Sequence, residues 1–225
     1  IARRQRQMCI RDSLFGIYAF GIMLALFIAG PLSDSFGRRA VMRPAVLTTT
    51  AGSLILLLGF HGAFLPLLIG RLCIGAAVGM AMSSGAAWIK ELSTHVHIGA
   101  KRSSVALSSG FALAPGIAGL AAQYLPWPTV LPYLFHIALA LVVVPLVWMV
   151  PELPTTSART TRQPFLPTSL LTPRYLHVIA YAPWVFGTVT TTFVFLPSQL
   201  SEHLDRPILV AGLMAMVTMG SGVII

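Results

Sequence analysis

Few residues in this sequence could do chemistry, and the most unusual of them is Arg71, an arginine inside a long apolar run. An Arg at the centre of a membrane-spanning helix opposes insertion by about 2.5–3.5 kcal/mol on insertion scales. Either neighbouring helices hold Arg71 for a function, or its long side chain extends to the nearer membrane interface.

Three further polar residues lie inside apolar runs and could line a path for a solute: His136, Thr188 and Thr191. The imidazole of His136 could carry a proton near neutral pH. The alternatives stay open. His136 could be a neutral, hydrogen-bonded group within a helix bundle, and threonine hydroxyls commonly bond to carbonyl groups of their own helix.

Other chemistry is not predicted from these residues. His95 and His97 lie in a loop without further ligands, so we expect no metal site. Ser84 and His136 belong to no nucleophile motif, and the phosphate-binding pattern G-x-x-x-x-G-K-[ST] is absent from the sequence. We therefore expect neither an enzyme nor a cofactor. Nucleic acid is not expected as a partner, because the basic residues do not gather on one face with aromatic groups.

The composition indicates that these residues are held by membrane-spanning helices. Charged residues make up 9% of the 225 residues, against about 25% in soluble proteins, and hydrophobic residues make up 56%. The apolar runs have the length needed to cross a hydrocarbon core of about 30 Å and lack the alternation of barrel strands. The predicted fold class is an all-α polytopic membrane protein. Its seven runs cover roughly 14–32, 42–60, 64–87, 104–124, 130–150, 175–197 and 208–225.

The loop charges predict how the helices are oriented. Nine basic residues fall on the side of the first loop, and one, Arg206, falls on the opposite side. Because basic loops stay in the cytoplasm, the first loop at 33–41 is predicted to be cytoplasmic. The nine residues are Arg38, Arg39, Arg43, Lys90, Lys101, Arg102, Arg159, Arg162 and Arg174.

Two segments are predicted to lie outside the helical bundles. Residues 7–13 resemble the translation of a transposon end used as a sequencing adapter, so 1–13 is predicted to be a non-native or disordered tail. The alternative is a basic cytoplasmic tail. The segment 151–174 contains five prolines and is predicted to be a semi-rigid cytoplasmic linker. It divides an N-terminal bundle at 14–150 from the start of a second bundle at 175–225.

The first loop carries a spaced set of residues: Gly30, Asp34, Gly37, Arg38 and Arg39. Gly37 suits a turn with positive φ, and a carboxylate beside arginines can form charge-assisted hydrogen bonds. An exposed local salt bridge of this kind would contribute little to stability. The pattern resembles the G-x-L-x-D-x-x-G-[RK]-[RK] signature of the major facilitator superfamily, which joins that family's second and third helices.

Two later runs resemble further motifs of the same family. The segment from Arg71 to Gly75, with Gly79 one turn on, resembles its second motif, on the fourth helix. The segment 110–119 resembles the antiporter motif G-x-x-x-G-P-x-x-G-G on the fifth helix. Ala114 and Ala118 replace two of its glycines.

Small residues and proline in these runs are predicted to shape the helices. Gly75 and Gly79 form a small-x-x-x-small face of the kind that packs one membrane helix on another. Pro115 removes an intrahelical hydrogen bond and should bend its helix. The predicted helix-packing and bending residues are Gly75, Gly79, Gly110, Pro115, Gly116 and Gly119.

The resemblance implies a transporter bundle of which this chain covers about seven of an expected twelve helices, from the second to part of the eighth. It implies that Asp34 bridges the two halves when the cytoplasmic side is closed, and that Arg71 couples proton movement to substrate. The expected partners are a small solute, protons and the lipid bilayer of a plasma or inner membrane. Proton-coupled efflux is the leading expectation. Proton-coupled uptake of a nutrient and a non-transporting scaffold or receptor are the alternatives.

Overall fold

The chain is described by a computed structural model, which covers residues 2–59, 63–152 and 205–224, with single positions between 172 and 196. Over these ranges it is helical and contains no strand, so the all-α prediction is confirmed. The helices are α1 (Ala2–Phe36), α2 (Arg38–Leu58), α3 (Phe64–Glu91), α4 (Val96–Tyr124), α5 (Leu131–Met149) and α6 (Pro207–Ile224).

Five of these helices, α1 to α5, are long and apolar enough to cross a membrane, and they correspond to the first five predicted runs. The helix α6 is a shorter apolar helix at the position of the last run. The predicted run at 175–197 and the predicted linker at 151–174 lie mostly outside the described residues. The division into bundles at that linker therefore stays a prediction.

The first helix begins earlier than expected. The backbone is helical from Ala2, in the segment for which a disordered tail was one expectation. The membrane-spanning part of α1 is Asp12–Phe36. The non-native origin of residues 1–13 stays a prediction.

The chain forms two compact units. The first contains Ile1–Ala100 and Tyr133–Arg162, and the second contains Lys101–Pro132 and Gln163–Ile225. The site described below lies in the first unit, with α1, α2, α3 and α5.

In the first unit, α1 and α3 pack in parallel with almost no side chain between them. A Cβ atom on Gly75 would collide with the carbonyl oxygen of Tyr18, and one on Gly79 would lie 2.6 Å from the carbonyl oxygen of Ile22. Residue numbers rise together along the two helices, as required of two spans separated by one other span. Glycine permits this close approach, which maximises van der Waals contact where lipid supplies no hydrophobic driving force.

The helix α2 lies antiparallel to both α3 and α5. A Cβ on Gly70 of α3 would lie 3.0 Å from the carbonyl oxygen of Gly52 on α2. Where α1 and α3 end and α2 begins, a small core of Val46, Trp88 and Val147 joins α2, α3 and α5.

Proline interrupts three helices of the first unit. Pro31 lies near the end of α1, Pro44 near the start of α2 and Pro145 near the end of α5. Proline has no backbone N–H, so each of these residues removes one hydrogen bond from its helix. All three positions lie towards the same end of the unit, where the first loop is located.

In the second unit, α4 lies antiparallel to α6. A Cβ on Gly119 would lie 3.2 Å from the Cα of Gly212, and a Cβ on Gly212 would lie 2.7 Å from the carbonyl oxygen of Pro115. Where α4 ends and α6 begins, Nη1 of Arg206 donates a hydrogen bond to the Tyr124 hydroxyl at 2.5 Å. The charge pattern had placed these two ends on the same, non-cytoplasmic side.

Candidate functional site

The centre of the candidate site is the guanidinium of Arg38, the first residue of α2, which is 7% exposed. Its Nη1 donates hydrogen bonds to the Ser33 hydroxyl at 2.9 Å and to the Asp34 carboxylate at 2.5 Å. Its Nε and Nη2 donate to the Glu91 carboxylate at 3.1 and 2.8 Å. We call Ser33, Asp34, Arg38 and Glu91 the Arg38 cluster. One buried cation thus joins the ends of α1 and α3 to the start of α2.

The two carboxylates of the Arg38 cluster differ in exposure. Glu91 receives two N–H groups of the guanidinium, and its side chain is 24% exposed. The Asp34 side chain is 50% exposed and is bonded through Oδ1. Charge-assisted bonds from a planar guanidinium fix both distance and direction. Asp34 is therefore held in place by Arg38 while much of its carboxylate faces outward.

Gly37 forms the turn between α1 and α2 and has a φ of 96°, a value that residues other than glycine rarely adopt. Its N–H donates to the Ser33 carbonyl at 3.1 Å. The carboxylate of Glu152 occupies the position that a Cβ of residue 37 would need, and it accepts the backbone N–H of Arg39 at 3.3 Å. The turn is therefore closed on one side by the residues that follow α5.

Two further hydrogen bonds attach this turn and α3 to the same segment. Arg39 Nε donates to the Val150 carbonyl at 2.9 Å, and the indole N–H of Trp88 donates to the Pro151 carbonyl at 3.2 Å. The first loop thus contacts the ends of both α3 and α5. Gly30 differs from Gly37, because a Cβ there would meet none of the described residues within 4 Å.

We expect Gly37→Ala to disrupt the turn, because the alanine would adopt a strained φ at a cost of about 1–3 kcal/mol and its Cβ would displace Glu152. Thermal unfolding of the purified protein in detergent should show a lower midpoint. Gly30→Ala is the matched control in the same motif and should leave the midpoint unchanged. Equal midpoints for the two variants would contradict this account of the turn.

Sequence reasoning missed Ser33, Glu91 and Glu152 as members of the site. A signal was present for the two acids, because each ends an apolar run on the side that carries nine basic residues. A buried guanidinium has five N–H donors, so Asp34 alone could not satisfy Arg38. That requirement indicates further acceptors, which the structure supplies as the Ser33 hydroxyl and the Glu91 carboxylate.

Arg71 lies on α3, far along the helix from the Arg38 cluster, and is partly buried. It lies within electrostatic reach of the Tyr18 hydroxyl of α1. In the part of the chain that the structure describes, it forms no hydrogen bond or salt bridge. The structure therefore does not bring Arg71 together with the residues of the first loop.

The predicted path residues lie in different surroundings. His136 Nδ1 is 2.9 Å from the hydroxyl of Ser53, which is 1% exposed, so this pair joins α5 to α2. Thr188 donates a hydrogen bond to the Trp184 carbonyl, four residues earlier, at 3.0 Å. Thr191 is exposed. That His136, Thr188 and Thr191 line one path for a solute stays a prediction.

Of the glycines in α4 that are predicted to pack against another helix, two contact α6 and one does not. Gly116 faces Met216 of α6, whose sulfur would lie 2.8 Å from an added Cβ, and Gly119 faces Gly212. A Cβ on Gly110 would meet nothing within 4 Å among the described residues. Pro115 lies inside α4 at the crossing with α6.

A cavity of about 470 Å³ lies between α1, α2 and α3. The described residues that line it have only apolar side chains, among them Leu24, Ile28, Leu72 and Met80. It offers hydrocarbon groups a site but has no side chain that could hydrogen-bond a polar solute. None of the predicted path residues lines it.

Comparison with known families gives one finding. A family model described as Major Facilitator Superfamily matches residues 12–225, a range that contains the whole of the site. No curated protein and no solved structure matches the chain.

Proposed function

This chain belongs to the major facilitator superfamily, and we propose that it exports a small solute in exchange for protons by alternating access. Members of this family are secondary transporters. The five helices of membrane-spanning length, together with the family, make the chain a multi-pass membrane protein. The direction of transport and the proton coupling are the parts that we propose.

The observation that carries the proposal is the Arg38 cluster. Alternating access requires contacts that form in one state and break in the other. Asp34 suits such a contact, because Arg38 fixes its position while half of its side chain is exposed. We infer that Asp34 accepts a hydrogen bond from the second bundle when the cytoplasmic side is closed. Arg38, Glu91 and Ser33 are positioning residues for this contact.

The sequence of α4 supports export as the direction. Its Pro115 segment resembles the antiporter motif, and there α4 packs against α6, with Gly119 against Gly212. Glycine at this crossing lets the two helices approach without a side chain between them, and Pro115 removes a hydrogen bond at which α4 can bend. Arg71 is the coupling residue in this proposal, since a cation without a salt bridge in the described residues can respond to a titrating group or to an anionic substrate.

Flux measurements test the proposal. The purified protein is reconstituted into proteoliposomes, and a proton gradient is imposed in either direction while the movement of ethidium, a drug-like cation, is recorded. Exchange predicts that ethidium moves against the direction of proton flow. Movement of solute in the same direction as the protons would support uptake instead. If the fluxes of ethidium and of a panel of nutrient solutes are all independent of the proton gradient, proton coupling is contradicted.

We expect Arg71→Ala to lower gradient-driven flux at least about tenfold, which corresponds to a change of about 1.4 kcal/mol in the transport barrier. The protein should still reach the membrane, because the substitution removes an insertion penalty. Arg102→Ala, which removes an exposed cation at the start of α4, is the matched control. Normal flux in the Arg71→Ala variant would end the assignment of a coupling role.

A further inference from the structure

Arg43 is a cation whose hydrogen-bonding capacity is largely unused. It lies in the second turn of α2, and its Nε is enclosed by protein and has no hydrogen-bond partner among the described residues. Its Nη2 reaches the Trp148 carbonyl only at 3.5 Å, the outer limit for a hydrogen bond. In the described part of the chain, no carboxylate lies within salt-bridge distance of it. The terminal N–H groups of Arg43 are therefore available to an anion from outside the described residues.

The neighbouring charges do not supply that anion. Arg39, one turn earlier on α2, uses its guanidinium on the Val150 carbonyl. Glu152 accepts the backbone N–H of Arg39 and lies over Gly37. The Arg38 cluster is likewise engaged with its own carboxylates.

An aromatic ring holds the Arg43 guanidinium at the surface of the unit. Its central carbon lies 5.1 Å from the centre of the Trp148 ring of α5, which is a cation–π distance. Trp148 is itself 39% exposed. Tryptophan is enriched at the level of lipid headgroups, and the loop charges predict that this end of α2 and α5 is cytoplasmic.

An exposed apolar surface continues from this pair along both helices. Leu47 and Leu54 follow Arg43 on the same face of α2, and Leu141 and Leu134 follow Trp148 on the same face of α5. From Arg43 to Leu54 the helix rises about 16 Å, at about 1.5 Å per residue. One leaflet of a hydrocarbon core is about 15 Å thick, half of about 30 Å. The surface therefore has the length of one acyl chain.

We propose that Arg43 and Trp148 bind the phosphate headgroup of an anionic phospholipid of the inner leaflet, with an acyl chain along α2 and α5. The terminal N–H groups of a guanidinium match phosphate oxygens, and the ring of Trp148 keeps the guanidinium oriented. Anionic lipids are concentrated on the cytoplasmic leaflet, where each basic residue contributes about 1 kcal/mol of attraction. This site does not depend on which solute is transported.

Fluorescence of Trp148 tests the site directly. The protein is reconstituted into phosphatidylcholine vesicles that contain increasing fractions of brominated phosphatidylglycerol or brominated phosphatidylcholine, and quenching is recorded. Subtracting the signal of Trp148→Phe gives the Trp148 component. Brominated phosphatidylglycerol should quench it at about fivefold lower fraction than brominated phosphatidylcholine. Equal quenching by the two lipids, or no quenching by either because protein covers Trp148, would overturn the proposal.

The variants distinguish a specific site from general charge. Arg43→Gln should abolish the preference for phosphatidylglycerol, and Arg43→Lys should keep it in weakened form because the charge remains. Arg102→Gln removes an exposed cation elsewhere and should leave it unchanged. Retention of the preference in Arg43→Gln, or its complete loss in Arg43→Lys, would contradict the proposal. Removal of the preference by millimolar inorganic phosphate would assign the site to free phosphate instead.

Discussion

Replacing Arg38 with leucine should abolish transport and lower the stability of the first unit by about 1.5–3 kcal/mol. The side chain is 7% exposed and donates charge-assisted hydrogen bonds to the Asp34 and Glu91 carboxylates, and leucine would remove all of them. Hydrogen bonds to charged groups contribute more to stability than neutral ones, and the loss is moderated here because the Asp34 side chain is 50% exposed. Thermal unfolding in detergent and flux in proteoliposomes measure the two consequences.

A matched set of variants separates a gating role from a merely structural one. Arg102→Leu removes an exposed arginine and should change neither quantity. The triple variant Arg38→Met, Asp34→Asn and Glu91→Gln removes all three charges, so it should recover most of the lost stability. If the charges act in gating, transport stays lost in this variant. A stable triple variant with normal transport would refute the gating role of the Arg38 cluster.

Gly75→Leu should prevent the first unit from assembling, because α1 and α3 touch at this glycine. A Cβ at residue 75 would collide with the carbonyl oxygen of Tyr18, a backbone atom that cannot rotate away. Separating two packed helices by one side chain removes contact along their whole crossing. We expect little folded protein, seen as aggregation on size-exclusion chromatography in detergent.

The smaller change Gly75→Ala keeps this prediction measurable if the leucine variant cannot be purified. It should lower stability by about 1–3 kcal/mol, the usual range for overpacking. Gly85→Ala on the same helix is the control, since a Cβ there would lie 3.5 Å from the flexible end of Met42. If Gly75→Ala and Gly85→Ala unfold at the same temperature, the helices are not packed as described.

The helices were predictable from the sequence because the bilayer sets their length. A run such as 104–124 needs only enough consecutive apolar residues, and no tertiary information, to be identified. The first loop was also predictable, since Asp34, Gly37 and Arg38 lie within one short segment whose spacing is informative.

The partners of that loop were not predictable from local pattern. Glu91 lies 53 residues from Arg38, and Glu152 lies 113 residues from Arg39. Pairing over such separations depends on how α3 and α5 pack against α2, which the runs do not specify. The same holds for His136, whose hydroxyl partner Ser53 comes from a helix 83 residues away.

The three prolines of the first unit have a mechanical consequence. They remove the intrahelical hydrogen bonds to the carbonyl groups of Phe27, Ala40 and Leu141, four residues earlier in each helix. Helices bend where their hydrogen-bond ladder is broken, whereas the glycine crossings of α1 with α3 leave no space for deformation. Bending is therefore expected in the parts of α1, α2 and α5 that lie near the Arg38 cluster, and not where α1 crosses α3. The first unit can therefore bend at the end that carries the first loop, while the crossing of α1 with α3 at Gly75 and Gly79 keeps its geometry.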